Sequence, residues 1–145
     1  MDRDYELTDK DNTFFYFEII KQTNAKRILD IGMFLKRIGA LTRQVGELTI
    51  QPDIILDALD IPDAPVLPIY TTIYNNIYGD IKKIHHKYDL VISLNNNTDP
   101  SSISRYASAL AIDCKNENEF FSLRPLGKSI KDIHIEEKLY ALITF

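Results

Sequence analysis

Lys26-Arg27-Ile28-Leu29-Asp30-Ile31-Gly32 is a short apolar run that closes on an acid and a glycine and is followed at once by a helical pattern. Strand, tight turn and helix in that order form the entrance to a nucleotide-type pocket. The backbone turns sharply at the glycine, and the next helix points its positive N-terminal end past the strand. Asp30 and Gly32 are therefore the first candidate ligand-facing residues. Beyond Gly32 the chain carries Met33, Phe34, Leu35 and Lys36 where a phosphate or cofactor loop would carry more glycines.

On the C-terminal side, Phe34, Ile38, Leu41 and Val45 recur at helical spacing and Gly46 is a natural stop. Lys36, Arg37 and Arg43 form the opposite, solvated face, with Lys36 and Arg37 close enough to the helix start to reach an anion. On the N-terminal side, residues 1 to about 11 are polar and predicted to fray. Asp11 or Asn12 can cap a helix from about Thr13 to Thr23. Phe14, Phe15, Tyr16, Phe17, Ile19 and Ile20 make this helix apolar almost all round, which wedges it between the body and a second surface. It either lies against the sheet or forms a homodimer face.

Asp53-Ile54-Ile55-Leu56-Asp57-Ala58-Leu59-Asp60-Ile61 reads as a second buried strand, stopped by Pro62. Asp57 and Asp60 face opposite ways by strand alternation, so at most one lies along a ligand crevice. Asp60, nearest the C-terminal end, is the choice. From Pro68, Ile69, Ile73 and Ile77 recur every fourth position beside Tyr70, Tyr74 and Tyr78, a helical pattern through at least Asn75. Residues 77–81 can continue it or form a short strand. The basic segment 82–87 leads into residues 88–94, the clearest buried strand in the chain.

Asp99 is placed to cap a helix from Pro100 to about Ala107, and residues 108–114 fit a fourth central strand or a continuation of that helix. Residues 115–129 show no decisive pattern. Residues 130–135 and 138–145 read as a terminal antiparallel pair closing a sheet.

Composition narrows the function classes. A chain of 145 residues with 45% hydrophobic and 26% charged residues is expected to form one domain with a real core, and no apolar run is long enough to span a membrane. The acidic, polar first residues do not read as a signal peptide, so a cytoplasmic protein is expected. A net charge of −4 gives no positive field for non-specific nucleic-acid binding. Cys114 is the sole cysteine and reads as a small buried hydrophobe. His85 and His86 are adjacent and lack the spacing of a helical metal pair, so no metal is expected.

Alternating strand and helix over residues 26–114, followed by the late antiparallel pair, resembles the class I S-adenosylmethionine-dependent methyltransferases. The resemblance implies an α/β, Rossmann-like three-layer sandwich whose mostly parallel sheet carries a C-terminal antiparallel strand pair. Arg27 to Gly32 looks like the family's first motif, and Asp57 to Ile61 like the end of its second strand, which puts Asp60 on the ribose hydroxyls. Tyr74 to Ile81 is similar to the segment whose acid, here Asp80, lies near the adenine. Lys87 to Asn95 resembles the fourth strand, with Asn95 at the substrate-facing position after it. Asp30, Gly32, Asp60, Asp80 and Asn95 are thus the implied S-adenosylmethionine residues, expected to converge at one sheet edge.

Two departures shape the functional expectation. Met33, Phe34 and Leu35 place side chains where the family offers bare backbone to the methionine part of the cofactor, which predicts weak or lost binding. Asn95, Asn96 and Asn97 supply no general base, although methyl transfer needs in-line positioning more than a base. Three readings follow: a methyltransferase acting on an unidentified small molecule or protein, a catalytically silent scaffold, or another nucleotide-binding domain of the same layout.

Overall fold

The computed structural model describes residues 18–31, 55–59, 74–93, 99–135 and 138–145. Its centre is a seven-stranded sheet in the order β3-β2-β1-β4-β5-β7-β6. The strands are β1 (Arg27–Ile31), β2 (Ile55–Leu59), β3 (Asn76–Tyr78), β4 (Leu90–Ser93), β5 (Ala109–Cys114), β6 (Ser129–Ile135) and β7 (Lys138–Thr144). Strands β1 to β5 run parallel, while β7 pairs antiparallel with both β5 and β6. The fold is the expected α/β, Rossmann-like three-layer arrangement.

Both faces of the sheet are covered, and strand alternation sorts the core into two halves. One face carries Ile28, Leu56, Ala58, Leu90, Ile92 and Leu142, with Ile19 and Ile20 of the helical residues 18–23 packed on it. The other carries Leu29, Val91, Leu110, Ala141 and Ile143 under Ile103, Phe120 and Leu123. Each fully buried Leu, Ile or Val contributes about 1.5–3 kcal/mol relative to an exposed position, so the central strands anchor the molecule.

Local chemistry sets the element ends. The helical residues 18–23 stop at Asn24, which takes a φ of 52° and donates its N–H to the Ile20 carbonyl at 2.8 Å. Through Ile19 and Ile20 this helix lies against the sheet, one of the two roles read for it. Asp99 caps Pro100–Ile103 by accepting the Ser101 N–H at 3.2 Å. That helix is shorter than the predicted Pro100 to Ala107, because Tyr88 takes Ala107 into a parallel bridge. Gly127 precedes β6 where an added Cβ would meet Ile143 and the Thr144 carbonyl at 2.6 Å, so only glycine fits.

One reading is corrected, and one stretch without a decisive pattern takes a definite form. The helical pattern does not extend through Asn75: its N–H donates to the Leu56 carbonyl at 2.6 Å, its side-chain oxygen accepts the Leu56 N–H at 3.0 Å, and β3 follows. Sheet pairing overrides the fourfold isoleucine spacing there, and residues 76–78 take the strand alternative. Residues 115–129 hold the helix Glu117–Ser122 and a 3-10 turn, Arg124–Leu126. Asn116 caps the helix through the Glu119 N–H at 2.9 Å.

Candidate functional site

The strand order reverses beside β1. From β1 the sheet grows to β2 and β3 on one side, and the chain then returns to lay β4 and β5 on the other. In open parallel sheets the crevice outside the strand C-termini at this reversal is where ligands bind. Ile31 pairs with Leu59, and Asp30 with Ala58 on β2 and Ile92 on β4, so the residues preceding Gly32 and Asp60 lie side by side at that edge. Gly32, Asp60 and Asn95 lie outside the described residues, as do Phe14 to Phe17, Met33, Phe34, Leu35, Lys36, Arg37, Arg43 and the helix read over 34–46.

Asp30 and Asp80 are at the predicted edge but in different environments. Asp30 is only 4% exposed, and Tyr74 donates its hydroxyl to Oδ2 at 2.5 Å. Burial pushes the Asp30 carboxyl up to about 7, with the Tyr74 hydrogen bond acting in the opposite direction. Asp30 therefore works on the protein and not on a ligand in the open. Asp80 is exposed just beyond β3, where Oδ1 accepts the Lys82 N–H at 3.0 Å as the cap of the 3-10 turn Ile81–Lys83. Its second oxygen makes no hydrogen bond among the described residues.

Asp57, the acid passed over in favour of Asp60, is 1% exposed on the opposite sheet face from Asp30. Tyr88 donates its hydroxyl to Oδ2 at 2.7 Å and Asn76 its amide to Oδ1 at 3.0 Å. Both oxygens are engaged and the carboxylate is buried, so Asp57 is not presented to a ribose. Burial and the Asp57 carboxylate push the Tyr88 phenol far above its ordinary value, keeping it a donor.

Tyr74, Tyr88 and Asn76 were not singled out from the sequence as partners of buried acids. The pairs bridge 44 and 31 residues, so no local spacing marks them.

Other candidates resolve simply. Cys114 is buried, and burial with Glu119 and Asp113 nearby pushes its thiol up to about 11, the behaviour of an inert hydrophobe. His85 and His86 are both exposed, and among the described residues no cluster of three His, Cys, Asp or Glu side chains could hold a metal. No helix among them is long and apolar enough to cross a membrane.

A groove of about 630 Å³ lies at the other end of the strands, bounded by Asn24, Lys26, Asp89, Ser108, Lys131 and Thr144 among others. Its volume suits a small molecule, yet Oδ2 of Asp89 is already taken by the Lys26 and Arg27 N–H groups at 2.9 and 3.0 Å. Strand polarity outweighs volume here, because the acids and the topological reversal are at the opposite edge.

No protein-family model matches the sequence, and no curated protein matches it. Solved structures are similar. An O-methyltransferase family protein from Burkholderia thailandensis superposes with a TM-score of 0.70 over 94% of this chain and 56% of its own, at 8% identity. The methyltransferase domain of bacterial CtHen1-C gives 0.59 over 94% of this chain and 97% of its own, at 12% identity. PigF, in a structure with SAH (S-adenosylhomocysteine), gives 0.58 over 84% and 51%, at 15% identity. At such identities the likeness is one of fold alone: this chain shares its Rossmann-like α/β sheet with these methyltransferase structures.

Proposed function

We propose that the chain is an S-adenosylmethionine-dependent methyltransferase-like protein that binds its cofactor weakly at the C-terminal edge of β1, β2 and β4. The observation that carries this reading is the reversal of strand order beside β1, with an acid buried at the end of that strand. When bound, S-adenosylmethionine supplies an activated methyl group to a nucleophilic atom of a small molecule or protein.

The described residues fit such a group in part. Asp80 keeps an exposed carboxylate oxygen suited to the amino group or hydroxyls of an adenosine. Asp60 and Gly32 follow the paired residues Leu59 and Ile31, which suits them to the ribose and the methionine portion. Asn95, after β4, is assigned to the substrate side. Asp30 holds β1 in place and is sealed from the ligand. Met33 and Phe34 lower the affinity, since filling a fitted site costs about 1–3 kcal/mol.

A catalytically silent scaffold is the second reading, and a specific observation favours it: Asp30 is sealed by Tyr74, and Asp80 is partly used as a cap. Calorimetric titration of Asp60→Ala separates the two. Loss of a carboxylate that accepts ribose hydroxyls is expected to weaken S-adenosylhomocysteine at least about tenfold. Unchanged affinity removes Asp60 from the site.

A further inference from the structure

Tyr74 stands two residues before β3, and Asp30 lies on β1, with β2 between them. The residue of β2 paired with Asp30 is Ala58, which is fully buried in the same core half as Tyr74. A methyl group at that position leaves room for a phenol to span the strand. The hydroxyl then meets Asp30 Oδ2 at 2.5 Å, tying the segment that enters β3 across β2 to Asp30, one residue from the end of β1 where the ligand crevice opens.

We propose that Tyr74 is a positioning residue: by holding Asp30 across Ala58 it fixes the end of β1 from which the chain enters the adenosyl site. This rests on the reading of that site given above. On the sheet face that carries Asp30, its strand neighbours are Ala58 of β2 and Ile92 of β4, and the same core half holds Ile19 and Ile20 of the helical residues 18–23 and Tyr74. Among the described residues Tyr74 alone of these can ionise, and no cation compensates the carboxylate. The bond is charge-assisted when Asp30 is ionised and weaker when it is protonated, so the grip on β1 tightens as pH rises through about 7. Positioning and proton binding are thereby coupled through one oxygen.

The experiment has two arms on the full chain. In the first, the ¹³C shift of the Asp30 carboxyl is followed against pH in wild type and Tyr74→Phe, which keeps the ring and removes the hydroxyl. The wild-type transition is expected near pH 7, and in Tyr74→Phe it is expected to move upward by at least about half a unit, because a bond to the charged form is lost. An unmoved transition overturns the pairing.

In the second arm, S-adenosylhomocysteine is titrated calorimetrically between pH 6 and 8. Wild-type affinity is expected to rise several-fold across that range, the rise to shift with the carboxyl transition in Tyr74→Phe, and Asp30→Asn to bind without pH dependence. A wild-type affinity that is flat with pH overturns the positioning role. If no protein binds the ligand at any pH, the site reading fails and the role with it, while the carboxyl arm still decides whether Tyr74 and Asp30 are coupled.

Discussion

Asp30 and Asp57 sit on neighbouring strands, each buried and each receiving a tyrosine hydroxyl, yet they are not equivalent. Asp57, near mid-strand, has a donor on each oxygen, Tyr88 and Asn76, and faces the core half that holds Leu29 and Val91. Asp30 lies one residue from the end of β1 on the other face, with a tyrosine on one oxygen and its carboxyl pushed up to about 7. A carboxylate satisfied on both oxygens is a structural fastening. One satisfied on a single oxygen at a strand end keeps a proton equilibrium, and that separates framework from site in this sheet.

The largest effect is expected on the framework side. Asp57→Ala strands the buried Tyr88 hydroxyl, while the exposed Asn76 amide returns to water, so a loss of about 2–3 kcal/mol is expected in urea unfolding. A loss below about 1 kcal/mol would erase the contrast between the two acids.

Next comes the proton linkage of Asp30. Its folded value lies above the ordinary 3.8, so its stabilising contribution is complete below about pH 4 and is lost as pH rises towards 7. Asp30→Asn keeps an acceptor for Tyr74 and removes the charge. The variant's stability relative to wild type is expected to be higher at pH 8 than at pH 5 by about 2 kcal/mol or more. Parallel stability curves for the two proteins between those pH values would show that Asp30 binds no extra proton in the folded state.

The smallest effect belongs to the hydroxyl alone. Tyr74→Phe is expected to cost about 1–2 kcal/mol at pH 8, where the bond is charge-assisted, and less at pH 5. An equal cost at both pH values would make the pair an ordinary neutral contact.

Much of this framework is legible in the residues themselves. The apolar runs around Leu29, Leu56 and Val91 read as buried parallel strands because nearly every side chain is covered on both faces. The apolar ending from Tyr140 to Phe145 likewise reads as the last strand of a terminal pair. Reading fails where a tertiary partner overrides a local pattern. The isoleucine spacing that reads as a helix gives way at Asn75, whose backbone and side chain both bond Leu56. Around Asn116 the opposite holds, since a cap followed three residues later by Glu119 marks a helix start that six residues of helix leave without a full periodic pattern. The site is less legible than the fold. Asp30 reads as ligand-facing because its place in the chain is visible, whereas Tyr74, which seals it, arrives from 44 residues away.

Isothermal titration of the wild-type protein with S-adenosylhomocysteine at pH 8 tests the central claim most directly. Saturable one-site binding with a dissociation constant above about 100 μM is expected, corresponding to less than about 5.5 kcal/mol of binding free energy. No detectable binding at millimolar ligand would contradict an adenosyl site at this sheet edge, and low-micromolar binding would contradict the weakening assigned to Met33 and Phe34.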